Sequence, residues 1–147
     1  MIYLLRHGDA ARPDGMDDAE RPLSEKGERQ SVAAGRALVV LGANVDACLA
    51  SPKLRAAETA RLACEQLGVE PEAAEELRTG PFEPLSLAAG RGDVLLVGHE
   101  PSFSTEIAGL TGGRVRLRKG GLAIVDGTDL EALLRPKELA AIAGTAR

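Results

Sequence analysis

With 147 residues the chain has room for one domain with a proper core and too little for two comfortable ones. Hydrophobic residues make up 44% and charged residues 27%, as in ordinary soluble globular proteins, but aromatics only 2%, so Leu, Val, Ile and Ala must fill the interior. A net charge of −4 argues against a general binder of nucleic acid or anionic membrane, so any anion the chain handles must be met by a local cluster of cations.

The chain opens MIYLLRHGDA, and Ile2–Leu5 reads as a strand entered directly, without the basic flank and long apolar stretch of a secretory leader. After an irregular stretch over Arg12–Arg21, Ser24 caps a helix running to about Leu41, with Gly27, Ser31, Ala34, Leu38 and Leu41 facing inward. Val45–Ala50 is the second strand. Ser51-Pro52 then reads as an N-cap followed by proline at the first helical position, opening a helix to about Leu67. Its expected inward stripe is Leu54, Ala57, Ala60, Cys64 and Leu67. Ala73–Gly92 is irregular apart from a short helix near Leu85–Ala89, and Val94–Val97 is the third strand. Pro101 opens a short helix to Leu110, Val115–Leu117 is a weaker strand, Leu122–Val125 a firmer one, and Pro136–Ala143 the last helix.

The runs at Ile2–Leu5 and Val94–Val97 are continuously apolar, as parallel strands buried on both faces are. Strands alternating with helices imply an α/β layered domain around a mostly parallel sheet. Cys48 and Cys64 lie in apolar contexts and read as two buried thiols in a reducing compartment. No apolar run approaches transmembrane length, and the expected location is the cytoplasm, with neither membrane nor nucleic acid as partner.

The chain has two histidines, His7 and His99, and each follows an apolar run and adjoins a glycine. In open α/β sheets ligands gather beyond the carboxyl ends of the strands. Arg6, His7 and His99 therefore converge on one rim if their two strands are neighbours, and Arg55 joins them from the start of the following helix. Two arginines and two histidines beside helix N-termini suit phosphate oxygens. Gly8 lets the backbone approach a ligand closely. Singly, each residue has a structural explanation; the combination is what points to an anion site.

The blocks LLRHGDA, ERPLSEKG, SPKLRAAETA and VLLVGHEPS resemble, in that order, the motifs of the histidine phosphatase superfamily, which has the phosphoglycerate mutase-like fold. The likeness runs from Ile2 to about Gly121. Within the superfamily the short length, RHGDA, RPLS and the later RKGGLA look most like the small bacterial phosphohistidine phosphatases. The resemblance implies a single three-layer α/β/α domain over residues 1–147 with a mostly parallel sheet. It implies that His7 is phosphorylated during turnover, that Arg6 and Arg55 bind the phosphoryl group, and that His99 contacts it. Arg21 matches an arginine near the pocket, or else holds its own turn. The role of Lys119 stays open between approaching the phosphate and leading a strand. No metal or other cofactor is expected, and the chain lacks HExxH, CxxC and any carboxylate cluster around either histidine.

Many relatives that cleave phosphate esters carry a glutamate as general acid, and aligning EELRT puts Thr79 at that place. Asp9 and Glu76 are the candidate substitutes, with Glu75 and Glu83 behind them; a turn-capping role for Asp9 is an equal reading. A missing general acid costs roughly a hundredfold to ten-thousandfold in rate. It matters less for a phosphoramidate, whose imidazole leaving group takes a proton from solvent near neutral pH. The expected activity is hydrolysis of phosphohistidine on a signalling or phosphotransfer protein through a phosphohistidine enzyme intermediate. The alternatives are a metal-independent phosphatase of small phosphate esters and a non-catalytic phosphate-binding module.

Overall fold

The computed structural model describes residues 1–144. In chain order it forms β1 (Ile2–Arg6), α1 (Glu25–Val40), β2 (Ala47–Ala50), α2 (Leu54–Leu67), β3 (Pro71–Ala73), α3 (Pro84–Ala88), β4 (Val94–Gly98), α4 (Ser102–Thr111), β5 (Leu122–Asp126), β6 (Asp129–Leu134) and α5 (Pro136–Ala143). Short 3-10 turns lie at Asp18–Glu20 and Glu75–Leu77. The six strands form one sheet in the order β3-β2-β4-β1-β5-β6. The first four are mutually parallel, and β5 and β6 run antiparallel at one edge.

Side-chain alternation along the central strands divides the core in two. Tyr3 and Leu5 of β1, with Leu95 and Val97 of β4, pack beneath Ala34 and Leu38 of α1, Ala60 and Cys64 of α2, and Leu139 of α5. Ile2 and Leu4, with Val94 and Leu96, face Phe103 and Ile107 of α4, Leu77 and Phe82. The result is the expected three-layer α/β/α arrangement. Cys48 and Cys64 are both buried free thiols in the first layer. Among the described residues no helix is long and apolar enough to cross a membrane.

Several local expectations shift. Helix α2 begins at Leu54 with Lys53 at its cap, so Ser51 is not the N-cap; its hydroxyl instead accepts the Lys53 N–H at 3.2 Å. The buried face of α2 is Arg55, Ala56, Thr59, Ala60, Ala63 and Cys64, while Leu54 points outward. Leu41 caps α1 and is likewise exposed. The second strand starts at Ala47, with Val45 buried in the preceding loop. Val115–Leu117 forms no strand because its polar backbone is spent elsewhere: the Leu117 carbonyl accepts from Arg6 and its N–H donates to Glu100. Two edge strands were not expected. β3 is three residues long, and β6, DLEALL, is largely exposed and lacks clean alternation; the Gly127-Thr128 turn that joins β5 to β6, with Gly127 at φ 62°, is its visible cue.

Helices α1 and α2 cross at van der Waals contact of their backbones. A Cβ at Gly35 would lie 2.5 Å from the Ala63 carbonyl oxygen, so neither helix can accommodate it without moving. Gly35→Ala gains about 1 kcal/mol of helix propensity but overpacks a backbone contact, at roughly 1–3 kcal/mol. A net lower denaturation midpoint is expected in urea; an unchanged or raised midpoint would show that the two helices part freely.

Candidate active site

Parallel pairing of β1 with β4 sets Arg6 opposite Gly98, and the His7 N–H donates to the Gly98 carbonyl at 3.0 Å. The two histidines therefore leave the sheet side by side, with ring centroids 5.2 Å apart and planes tilted by 55°. Helix α2 follows β2, the other neighbour of β4, and delivers Arg55 to the same rim. The four residues singled out from sequence are thus brought together, and all four line one pocket of about 200 Å³.

His7 is buried, and its Nδ1 lies 2.7 Å from the Gly8 carbonyl oxygen. A carbonyl only accepts, so a neutral ring carries its proton on Nδ1 and keeps a free lone pair on Nε2. The loop behind it is held tightly. The Gly8 N–H donates to the Thr59 hydroxyl at 3.0 Å, and that hydroxyl donates to the Arg55 carbonyl at 2.7 Å. A Cβ at Gly8 would meet the Gly27 carbonyl oxygen at 2.7 Å, and one at Gly27 would meet the Asp9 carbonyl oxygen at 2.0 Å. The first turn of α1 therefore presses directly on the loop that carries the histidine. Burial, reinforced by the charges of Arg55, Arg6 and Lys119, pushes His7 down to about 4 against the raising effect of its bond to Gly8.

His99, also buried, is pinned through Nε2 by the Ser51 hydroxyl at 2.8 Å. Ser51 already takes the Lys53 N–H on a lone pair, which leaves its own proton available to His99. Burial first, then the neighbouring His7, Arg55 and Lys53, push His99 down to about 3. Both rings are therefore uncharged near neutral pH.

The cations are fixed as well. Arg6 donates from Nη1 to the Leu117 carbonyl at 2.9 Å, while its Nε is buried without a hydrogen-bond partner among the described residues. Buried donors almost always have a partner, and an anion in the pocket would supply one. Arg55 donates to the Asp18 carbonyl at 2.7 Å and to its carboxylate at 3.0 Å. The same carboxylate takes Arg21 at 3.1 Å and Lys53 at 3.4 Å, and the bond from Arg55, then those from Arg21 and Lys53, hold Asp18 down at about 2. Arg21 lines the pocket while its Nε donates to the Ala11 carbonyl, so both of its expected positions are occupied at once. Lys119 also lines the pocket, with its Nζ 3.8 Å from Asp9.

The candidate acids do not gather at the pocket. Glu76 is exposed on the 75–77 turn, away from the pocket walls. Asp9 lies in an adjoining groove, where the Ser24 hydroxyl donates to it at 2.7 Å and this bond holds its carboxyl low. Thr79 lines a groove of about 540 Å³ on the far side of His99. The carboxylate on the pocket wall is Glu100, and it accepts from the Ser104 N–H, the Ser104 hydroxyl and the Leu117 N–H. Sequence reasoning missed Asp18, Ser51, Thr59 and Glu100 as partners of the site. Thr59 and Ser51 sit within SPKLRAAETA, and Glu100 directly follows His99, so proximity to the motifs was the available signal; Asp18, in an irregular stretch, offered none. Among the described residues no group of three or more His, Cys, Asp or Glu side chains is arranged to hold a metal ion.

Comparison with known proteins agrees with this geometry. The model of the histidine phosphatase superfamily (branch 1) matches residues 2–89. An uncharacterized protein of Picosynechococcus sp. is 36% identical over 136 residues, covering 82% of this chain and 81% of its own. Among solved structures, a candidate SixA phosphohistidine phosphatase from Agrobacterium tumefaciens superposes with a TM-score of 0.81 at 26% identity, covering 92% of this chain and 97% of its own. The protein histidine phosphatase SixA complexed with tungstate shares the fold at a TM-score of 0.79 and 24% identity, over 94% of this chain and 98% of that one. Motif order, topology and matched length lead to one conclusion: the chain belongs to the histidine phosphatase superfamily, branch 1.

Proposed function

We propose that the protein hydrolyses phosphohistidine on other proteins, with His7 as the nucleophile. The observation that carries the reading is the bond from His7 Nδ1 to the Gly8 carbonyl, which leaves an uncharged Nε2 lone pair among cations. In the first step Nε2 attacks phosphorus in line, the P–N bond of the substrate breaks, and the departing imidazole takes a proton from solvent. Arg6, Arg55 and His99 stabilise the charge on the equatorial oxygens, so positioning and electrostatics lower the barrier. Water then attacks the phosphorus on His7, the new P–N bond breaks, and phosphate leaves with the ring returned to neutrality.

Two features favour a phosphoramidate on a protein over a sugar phosphate. The pocket's carboxylate, Glu100, is engaged as an acceptor by three donors, so an alkoxide finds no poised acid there. Grooves open from the pocket on both sides, toward Thr79 and toward Asp9, which suits a side chain presented by a macromolecule. The decisive test is rapid quenching with labelled phosphohistidine protein and with an alkyl phosphate. Acid-labile, base-stable label on His7, absent from His7→Ala, is expected, together with a rate on phosphohistidine exceeding that on the alkyl phosphate at least a hundredfold, about the lower value of a general acid. Comparable rates would favour small esters as substrates, and label persisting in His7→Ala would remove the nucleophile assignment.

Ser51 acts as a positioning residue through His99. Ser51→Ala is expected to lower kcat/KM about tenfold, the size of one lost hydrogen bond, and to change the ¹⁵N chemical shifts of the His99 ring. A fall in activity with those shifts unchanged would assign Ser51 a merely structural role.

The depressed histidines also set a pH dependence of stability. An unfolded histidine binds a proton near pH 6.5, whereas folded His7 and His99 do so only near 4 and 3. The unfolded chain therefore holds more protons below pH 6.5, and stability falls as pH drops from 6.5 toward 4. The expected slope of unfolding free energy over pH 6.5–4.5 should flatten in His7→Gln/His99→Gln. An equally steep slope in that variant would place the titration elsewhere.

A further inference from the structure

The groove on the Asp9 side of the pocket, about 400 Å³, is strongly basic although the chain as a whole is acidic. Its walls come from the end of β1, the start of α1, the 116–119 segment and the start of α5. Arg6 and Lys119 belong to both the groove and the catalytic pocket, so the two are continuous. Beyond them it presents Lys26, Arg116, Arg118, Arg135 and Lys137, all five exposed. Of these five, Arg135 is paired with Glu138, and the other four make no ion pair within 4 Å among the described residues. The single acid lining the groove is Asp9, already engaged by Ser24 and Lys119.

We propose that this groove is the docking surface for the acidic flank of the phosphohistidine-bearing protein, an inference that rests on the phosphohistidine reading above. Its cations are long, solvent-exposed side chains spread over three separate segments. Such an array matches carboxylates distributed on a partner surface rather than one compact phosphate, which calls for converging, fixed donors. A nucleic acid fits poorly. The chain's aromatic residues, Tyr3, Phe82 and Phe103, are all buried and offer no face on which a base could stack, and the net charge repels a long polyanion. The groove on the other side of His99 carries two cations, Lys53 and Arg78, and both are ion-paired, to Asp18 and to Glu75. The asymmetry orients the partner, with its acidic side toward α5.

The test uses two chemically phosphorylated histidine peptides, identical except that one carries Asp and Glu flanks and the other Asn and Gln. At low ionic strength the wild-type protein is expected to hydrolyse the acidic peptide with a kcat/KM about tenfold higher, mainly through KM. That ratio should fall toward one in 0.5 M salt, as the screening length shortens to a few ångströms, and also in Arg116→Glu/Lys137→Glu at low salt. Equal kcat/KM for the two peptides in the wild type, or a ratio that survives both salt and the double substitution, overturns the docking proposal while leaving the phosphohistidine reading intact. Hydrolysis of neither peptide removes that reading and the docking proposal with it. Competition by a short duplex DNA without preference for the acidic peptide would assign the groove to nucleic acid instead. The salt titration on the wild type decides the matter even if the double variant folds poorly.

Discussion

The parallel pairing of β1 with β4 is the constraint on which the site depends. Its register carries Arg6 opposite Gly98, so each strand ends one residue before a histidine and the two rings emerge 5.2 Å apart. A one-residue slip would turn every side chain of a strand to the other face and separate the rings. Burial of Tyr3 and Leu5 under one helical layer and of Ile2 and Leu4 under the other makes such a slip costly. The hydrophobic core thus sets the distance between two polar groups at its edge, without any direct bond between them.

Around those rings the electrostatics are deliberately one-sided. Arg6, Arg12, Arg21, Lys53, Arg55 and Lys119 all face one small pocket in a chain whose net charge is −4. Asp18 takes Arg21, Lys53 and Arg55 on one carboxylate, yet remains 58% exposed itself, so it orders the cations from the rim without filling the pocket. The histidines stay uncharged under this field because burial and the neighbouring cations act in the same direction. A phosphoryl group arriving in the pocket meets positive charge and a free imidazole lone pair together, which a protonated ring would not provide.

Much of this was legible in the sequence, for identifiable reasons. Continuous apolar runs at Ile2–Leu5 and Val94–Val97 marked central strands, and the glycine beside each histidine marked the turns beyond them. Those cues are local. What escaped notice depends on contacts distant in sequence: Ser51 reads as a helix cap until β4 brings His99 against it, and Asp18 reads as a loop acid until α2 brings Arg55 37 residues along the chain. Val115–Leu117 has strand composition, but Arg6 and Glu100 take the Leu117 backbone groups that a ladder would need. The edge strands β3 and β6 are short or exposed, so they carry little of the pattern that burial imposes on central ones.

The contact between Gly27 and the Asp9 carbonyl, where an added Cβ would come within 2.0 Å, has a consequence for how such a site diversifies. The turn bearing His7 is sealed against new side chains from α1, so sequence drift there is paid in stability before it can alter the pocket. Thr79 and Arg116, in the two segments that border the open grooves, are both exposed. Substitutions in these two segments can recolour the approach to the pocket while the phosphate chemistry stays untouched, which separates the part of the molecule free to acquire new clients from the part that is not.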